Sequence, residues 1–356
     1  MIREPVPCAA PGGMQAHAGR VATHARIVAA GAYLPGPPVS SRDVEERIAA
    51  ASPGLRQRRG LLEELTGIRA RHYLPDHMQA SDLAVEAARR ALDSAALRAR
   101  DIDLLLWGSA SQDLVEPATA HIVAAKLGLK CHAFDVKNAC NSFLNALHVA
   151  STLIGRGAYR TALVVTGESP SRAIRWSVDH PRSYFRSAAG YTMGDAGAAT
   201  VLVHDAAAEG IYFQDFRAAS EHWPLATLPG GGSMHPRGEE WTYFFGDGAG
   251  LRDAFIAIGP AIIDDALDAT RTAREDYARV LCHQVTVPFL GDFCASARIA
   301  PGKLVPTIAE IGNVASATIP VQLARAIERG LVAPGDQLML AGLGGGLSLG
   351  VILLTL

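Results

Sequence analysis

The sequence predicts an α/β fold made of two duplicated halves, and two observations carry this prediction. Apolar strand patterns alternate with helical patterns along most of the 356 residues. Such alternation favours a parallel or mixed sheet covered by helices. In addition, the segment 154–157 (Ile-Gly-Arg-Gly) is echoed by 327–330 (Ile-Glu-Arg-Gly), so that Gly157 and Gly330 lie 173 residues apart. Each copy ends a helical pattern and precedes a strand pattern, as a repeated unit requires.

In the first half, short apolar runs predict buried strands, and apolar residues spaced three and four apart predict helices. Ser40, which precedes the first helical pattern, is a typical helix N-cap. The predicted strands are 25–33, 102–107, 131–136, 161–166 and 198–203. The predicted helices begin near Asp43 and then cover 81–97, 117–127 and 141–155.

In the second half the same alternation returns after an irregular stretch. The predicted strands are 278–282, 337–341 and 349–354, and the predicted helices are 251–274, one that begins near Phe289, and 317–327. The stretch 206–250 has no regular period and contains three consecutive glycines and an aromatic group. Such a segment either shapes a pocket or is a plain surface excursion. The predicted domains are a tail (1–24), a first half (25–205), an insertion (206–250) and a second half (251–356).

The composition excludes several classes of protein. The 33 Lys and Arg residues nearly balance the 35 Asp and Glu residues, and no basic stripe is present, so nucleic acid is not an expected partner. No apolar run reaches the length of a membrane span. Met1–Gly19 is rich in Ala, Gly and Pro and lacks the apolar core of a signal peptide, so we expect a loose tail.

The cysteine count points to a reducing, cytoplasmic compartment. The five cysteines are Cys8, Cys131, Cys140, Cys282 and Cys294. Their number is odd, and their spacings match neither a disulfide framework nor a zinc site. The sequence therefore predicts no metal centre and no network of disulfides.

Cys140 has the most informative local context of these cysteines. It lies between the predicted strand 131–136 and the predicted helix that follows, at the positive end of a helix dipole. Such a position is expected to lower the pKa of a thiol and make it a nucleophile. The repeat offset of 173 residues leads from Cys140 to Asn313. Equivalent turns would then supply a thiol in one half and an amide in the other.

Other residues could complete a site for acyl chemistry. His283 follows the predicted strand 278–282, at the strand end where sites assemble in α/β folds. Asn313 lies where a loop enters a helix, although a helix cap is the simpler explanation of that position. The glycines of 342–346 lack a phosphate-loop lysine, so they are suited to direct a backbone N–H at a thioester oxygen, or they form a plain turn. For Asp195 a structural role is favoured.

Several of these motifs, taken in order, resemble the thiolase superfamily, and most closely its β-ketoacyl-ACP synthase III branch. The matching motifs are the Cys140 segment, His283-Gln284, Gly312-Asn313, the 344–346 turn, Thr66 to Arg71 and Gly194 to Ala199. The resemblance implies a five-layered αβαβα fold, a homodimer, and an acyltransferase of fatty-acid or specialised metabolism. It also implies no bound cofactor, with acyl-CoA or acyl carrier protein thioesters as substrates.

The resemblance further implies a role for each residue of the site. Cys140 would carry the acyl group, while His283 and Asn313 would bind the thioester carbonyl of the second substrate. The backbone N–H groups of Cys140 and Gly345 would form the other oxyanion hole. The second substrate would be a malonyl thioester whose decarboxylation yields the attacking carbanion.

Three positions depart from the pattern of the elongating members. Val285-Thr286 replaces the usual Ala-Asn pair after the histidine motif. Leu61 and Leu65 stand where those members hold the coenzyme A adenine with a tryptophan and an arginine, so a carrier-protein donor becomes more plausible. Glu116 stands in place of a phenylalanine.

A glutamate at the position of Glu116 resembles the head-to-head acyl-CoA condensing enzymes of olefin biosynthesis, in which it enters the neighbouring active site and can act as a base. The simpler alternative is a first-turn residue beside a helix dipole. Other functions remain open at this point. One is non-decarboxylative condensation of two acyl thioesters, and another is acyl transfer to an oxygen or nitrogen nucleophile. A Cys-His-Asn hydrolase and a non-catalytic paralogue that binds carrier protein are the remaining two.

Overall fold

The computed structural model describes residues 20–55 and 58–356. The predicted tail segment Met1–Gly19, with Cys8, lies outside the described residues. The strands of the first part are β1 (Ala25–Tyr33), β2 (Val39–Ser40), β3 (Ala70–Arg71), β4 (Leu104–Trp107), β5 (His132–Asp135), β6 (Thr161–Glu168) and β7 (Ala196–His204). Those that follow are β8 (Ile211–Ala218), β9 (Ala226–Thr227), β10 (Phe245–Gly246), β11 (Arg279–Cys282), β12 (Gln337–Gly344) and β13 (Ser348–Thr355).

Seven helices of the described residues match the predicted helical segments to within a few residues, and three further helices were not predicted. In chain order the helices are α1 (Ser41–Ala51), α2 (Leu61–Thr66), α3 (Ala80–Ser94), α4 (Thr119–Leu127), α5 (Ser142–Gly155), α6 (Pro181–Tyr191), α7 (Gly248–Thr270), α8 (Val287–Ser296), α9 (Ile308–Ile311) and α10 (Thr318–Glu328). Ser40 caps α1 as predicted, since its side chain accepts a hydrogen bond from the backbone N–H of Asp43.

Two sheets carry the fold, and they repeat one pattern. The first has the strand order β1-β7-β6-β4-β5 and the second the order β8-β13-β12-β11. In each sheet the first three strands of that order are antiparallel neighbours and the next pair is parallel. A parallel bridge between Val280 and Leu304 occupies the place that β5 has in the first sheet. The prediction of two duplicated halves is therefore confirmed.

The layers follow from which faces of the sheets are apolar. Helices α5 and α10 lie between the two sheets, where Phe143, Leu147 and Leu323 share one core with Leu106 of the first sheet and Leu340 of the second. Helices α3 and α4 cover the outer face of the first sheet, and α7 and α8 cover the outer face of the second. The order helix, sheet, helix, sheet, helix confirms the five-layered αβαβα fold.

The stretch predicted as an irregular insertion is shorter than expected. Its residues Ile211–Ala218 form β8, an edge strand that pairs with β13 along most of its length. The sequence of this strand lacks a simple apolar alternation because its side chains pack against two different helical layers. The irregular part is 219–247, which holds the short hairpin of β9 and β10. We refer to 219–247 as the insertion. Among the described residues, no helix has the length and apolar character needed to span a membrane.

Candidate active site

Cys140 lies in a tight turn that leads from β5 into α5. The hydroxyl of Ser142 accepts a hydrogen bond from the Asn138 N–H at 2.7 Å and donates to the Ala139 carbonyl at 2.6 Å. Ala139 has a φ of +47°, a backbone conformation that residues other than glycine rarely adopt. Gly312, which stands 173 residues later and directly before Asn313, also has a positive φ, of +68°. The two turns that the sequence offset relates therefore share a positive φ at the residue before the candidate site side chain.

The predicted lowering of the Cys140 pKa is wrong, because its surroundings raise that pKa to about 12. The residue is partly exposed as a whole, but its sulfur is closely surrounded, and burial disfavours the thiolate. The negative charge of Glu168 adds to this effect, while the N–H groups of Gly345 and of Cys140 itself oppose it. The position at the start of α5 does not outweigh burial, so the resting residue is a neutral thiol at physiological pH.

His283 follows β11 directly, and its backbone N–H donates to the Ala341 carbonyl of β12 at 3.0 Å. The side chain is buried, and burial lowers its pKa to about 4, an effect that a hydrogen bond with the Ala315 backbone partly opposes. The imidazole is therefore neutral at physiological pH. The sequence placed His283 at this strand end correctly.

Two buried glutamines, for which the sequence predicts no role, hold the backbone around His283. The Gln322 side chain, on α10, accepts from the Cys282 N–H at 3.2 Å and donates to the Cys282 carbonyl at 2.7 Å. The Gln284 side chain accepts from the Thr307 N–H at 2.9 Å and donates to the Val305 carbonyl at 3.1 Å. These bonds fix both the end of β11 and the segment that leads to Asn313.

Asn313 is held by both halves of the molecule. Its backbone N–H donates to the Thr192 carbonyl at 2.8 Å, and its own carbonyl accepts from the Gly194 N–H at 3.0 Å. Its side-chain oxygen accepts from the Ala315 N–H at 3.0 Å. The amide NH₂ is thus the group that can donate to a substrate. Asn313 does not cap α10, since that helix begins five residues later, at Thr318.

Ala315 connects the two polar side chains. Its N–H binds the Asn313 side chain and its backbone also bonds the His283 ring. It adopts a φ of +46°, which is unusual for alanine. This backbone conformation turns one residue toward both side chains, and backbone outliers of this kind are common at functional sites.

The glycine turn after β12 closes on the Cys140 turn from the second half. The Gly345 N–H interacts with the Cys140 sulfur. A Cβ on Gly342 would lie only 2.0 Å from the Asn141 side-chain oxygen, so no other residue fits there without a shift. A Cβ on Gly345 would lie 3.4 Å from Ala226 of the insertion. The insertion therefore lies directly beside the glycine turn at Gly345.

Asp195 is buried and serves the framework of the site. Its carboxylate accepts from the Leu74 N–H at 2.7 Å and from the Ser171 N–H at 3.0 Å. Burial raises its pKa to about 6 in spite of these bonds. Since Asp195 follows Gly194 directly, these contacts anchor the turn that binds the Asn313 carbonyl, in line with the structural role predicted for it.

Glu116 and the two substituted leucines lie apart from this cluster. Glu116 is exposed and makes no hydrogen bond or ion pair within the described part of the chain. It is not a first-turn residue, because α4 begins at Thr119 and its first N–H groups are capped by Asp135 at 2.9 and 2.8 Å. Leu61 is half-buried, and Leu65 is exposed.

No group of three or more His, Cys, Asp or Glu side chains in the described ranges is arranged to hold a metal ion.

Comparison with known proteins shows the family of the chain. Residues 134–221 match the family model for 3-oxoacyl-[acyl-carrier-protein] synthase III, and residues 267–356 match the model for the C-terminal part of that family. The chain is 31% identical over 333 residues to β-ketoacyl-[acyl-carrier-protein] synthase III of Neisseria meningitidis, an alignment that covers 93% of this chain and 99% of the relative.

Solved structures agree with these matches. OleA of Xanthomonas campestris in its cerulenin-bound form has a TM-score of 0.84 at 28% identity, covering 94% of this chain and 99% of that one. The 3-oxoacyl-[acyl-carrier-protein] synthase III of Aquifex aeolicus has a TM-score of 0.81 at 25% identity, covering 93% of this chain and 100% of that one. The chain therefore belongs to the β-ketoacyl-[acyl-carrier-protein] synthase III family of condensing acyltransferases.

Proposed function

We propose that Cys140 accepts an acyl group from a thioester and that a carbanion derived from a second thioester then attacks the acyl-cysteine. The observation that carries this proposal is the meeting of the Cys140 turn and the glycine turn, in which the Gly345 N–H points at the sulfur. In this proposal the backbone N–H groups of Cys140 and Gly345 would stabilise the oxyanion of each acyl transfer. The five-layered fold supports it, because the helices that follow the Cys140 and Asn313 turns, α5 and α10, share one core.

In the first step the Cys140 sulfur forms a bond to the acyl carbon of the donor. The donor thiol leaves with the proton that Cys140 gives up, so charge is conserved. A pKa raised to about 12 means that few molecules hold a free thiolate before substrate binds. Deprotonation is therefore coupled to acyl transfer, and the oxyanion donors lower the barrier to it.

In the second step His283 and Asn313 hold the carbonyl oxygen of the second thioester. For a malonyl thioester, the bond to the carboxylate breaks and carbon dioxide leaves. The electron pair forms the new bond to the acyl carbon, and the Cys140 sulfur departs and regains a proton from solvent. The engaged side-chain oxygen of Asn313 supports this role, since it leaves the NH₂ to face the substrate.

The acyl donor is an acyl thioester of coenzyme A or of acyl carrier protein. Leu61 and Leu65 provide neither the ring nor the charge that would hold an adenine nucleotide, and this supports a carrier-protein donor. We propose that the insertion sets the length of acyl chain accepted, because Ala226 lies beside Gly345. Family membership favours condensation over the Cys-His-Asn hydrolase and over a non-catalytic protein that binds carrier protein.

A second candidate function is non-decarboxylative condensation of two acyl thioesters, with Glu116 as the base. The exposure of Glu116 favours it, because its carboxylate is free to enter the site of a second copy in a homodimer. The likeness to OleA adds support, since the solved OleA chains include one in which a glutamate is replaced by glutamine. Glu116 would remove the α-proton that decarboxylation otherwise makes unnecessary.

Intact-mass spectrometry after incubation with acyl-CoA, acyl carrier protein and malonyl thioesters tests the proposal. We expect an added acyl mass on the wild type and none on Cys140→Ser. The absence of any adduct with every thioester would refute it. Carbon dioxide release then separates the two candidates: the malonyl reaction releases it, and Glu116→Ala leaves that reaction intact. The non-decarboxylative reaction releases none and is abolished by the same substitution.

A further inference from the structure

A buried carboxylate that the proposed mechanism does not use lies next to the site. Glu168 ends β6, and no part of it is exposed. Its oxygens accept hydrogen bonds from the Ala110 N–H at 2.7 Å, the Ser111 N–H at 3.1 Å and the Ser111 hydroxyl at 2.8 Å, and also from the Ser316 hydroxyl. It takes part in no ion pair of the described residues. Because every hydrogen-bond donor to this buried carboxylate is neutral, no cation among the described residues balances its charge.

The last of these donors, the Ser316 hydroxyl, joins the two halves of the molecule. Ser316 belongs to the second half and lies three residues after Asn313. Its hydroxyl also contacts the Gly108 carbonyl at 3.0 Å and the Thr166 hydroxyl at 2.8 Å, both in the first half. Glu168 is thus the charged centre of a buried network across the boundary between the halves, at the level of the site.

We propose, on the basis of the roles assigned above to Cys140 and Asn313, that Glu168 is a positioning residue that fastens the Asn313 segment to the half that carries Cys140. The carboxylate, carried on β6, binds one other segment of the first half through Ala110 and Ser111 and one segment of the second half through Ser316, so it sets their separation. Ala315, which orients both Asn313 and His283, is the direct neighbour of Ser316. Loosening Ser316 therefore displaces the groups that bind the second thioester.

The charge of Glu168 gives this role a signature that a purely structural residue would lack. It is the charged side chain that acts on the Cys140 thiol, and it raises the pKa of that thiol in addition to the effect of burial. Replacing the carboxylate by a neutral amide should lower this pKa. Replacing Ser316 should leave it unchanged, because the charge remains in place.

The first test compares the alkylation of two thiols in the same protein. Glu168→Gln and wild type are treated with iodoacetamide at mildly alkaline pH, and the modified peptides are quantified for Cys140 and for the half-exposed Cys131. Because the thiolate is the reactive form, we expect the ratio of Cys140 to Cys131 modification to rise about threefold or more. Glu45→Gln is the matched control, since Glu45 is a buried carboxylate that accepts from the Gly60 and Leu62 N–H groups, both at 2.7 Å. Its ratio should equal that of wild type.

The second test separates the two half-reactions and uses Ser316→Ala, which keeps the charge. Acylation is followed by rapid-quench intact mass, and condensation by discharge of the acyl-enzyme after addition of malonyl thioester. We expect condensation to slow roughly tenfold and acylation to change less than twofold. Equal losses in both steps would overturn the positioning role.

An unchanged alkylation ratio in Glu168→Gln would overturn the inference whatever the acylation result. A wild type that forms no acyl adduct would instead refute the proposed function, which the alkylation test does not require. If Glu168→Gln does not fold, Glu168→Asp retains the charge and shortens the side chain. That variant should then keep the wild-type alkylation ratio and slow condensation. A changed ratio together with slowed condensation, or an unchanged ratio with condensation at the wild-type rate, would contradict the proposal.

Discussion

Replacing Gln322 by methionine tests how the fold holds His283 in place. Methionine has a similar volume but can neither donate nor accept the two hydrogen bonds that Gln322 makes with the Cys282 backbone. Both residues are fully buried, so the Cys282 N–H and carbonyl would lose their partner in a dry environment. Each buried polar group left unpaired costs about 1–3 kcal/mol. The expected loss in the free energy of unfolding is therefore about 2–6 kcal/mol, a large share of the ~5–15 kcal/mol typical of folded proteins.

The assay for Gln322→Met is urea unfolding followed by circular dichroism, with the condensation rate measured in parallel. We expect a lower unfolding midpoint with an unchanged slope, and slower condensation because the end of β11 that positions His283 is loosened. Gln214→Met serves as the control, since the Gln214 side-chain oxygen accepts from His148 at 2.9 Å and from the Ser151 hydroxyl at 3.2 Å in a partly exposed position. The loss in the free energy of unfolding of Gln214→Met should be near 1 kcal/mol. A Gln322→Met protein as stable as this control would refute the reasoning.

The remaining predictions concern pH, packing and buried charge. Burial lowers the pKa of His283 to about 4, so its contribution to stability is full above about pH 6.5 and falls by roughly 3 kcal/mol toward pH 4; urea unfolding across this range should show the loss, and His283→Asn should reduce it. Gly342→Ala forces a Cβ to 2.0 Å from the Asn141 oxygen and should cost roughly 1–3 kcal/mol in urea unfolding. Arg217→Met leaves the Asp215 carboxylate buried without the ion pair at 2.7 Å and should cost roughly 3–5 kcal/mol, measured by urea unfolding.

Matched variants make these three predictions specific. Gly302→Ala meets no atom within 4 Å and should be close to neutral. Arg325→Met removes a pair with Glu310, whose side chain is 52% exposed, and should cost less than about 1 kcal/mol. If either control variant loses as much free energy of unfolding as its buried counterpart, the packing or charge argument for that counterpart fails. A pH dependence that is unchanged in His283→Asn would place the titrating group elsewhere.

The duplication could be predicted from the sequence because each copy of the repeat contains a recognisable local motif. Gly157 and Gly330 both have positive φ after a helix, at +73° and +63°, and this need for glycine is visible as a motif. The offset then related Cys140 to Asn313 without knowledge of the fold. Strand ends and helix starts are also local features, and they were enough to single out His283.

The residues that hold the site in place could not be predicted from the sequence, because they contact partners that are far away in the chain. Gln322 contacts Cys282 from 40 residues away, and Ser316 contacts Glu168 from 148 residues away. Neither residue lies in a motif that predicts such a contact. The pKa of Cys140 was predicted in the wrong direction for the same reason. A helix dipole can be read from local sequence, whereas burial and the Glu168 charge depend on the packed structure.

The most direct test of the account is a two-step labelling experiment on the whole protein. The enzyme is first acylated with a thioester donor, and peptide mass spectrometry locates the acyl group. A malonyl thioester is then added, and loss of the label is followed. The account predicts an acyl group on the Cys140 peptide alone, discharged rapidly by the wild type and retained by Asn313→Ala. Labelling of another residue, or discharge by Asn313→Ala at the wild-type rate, would contradict it.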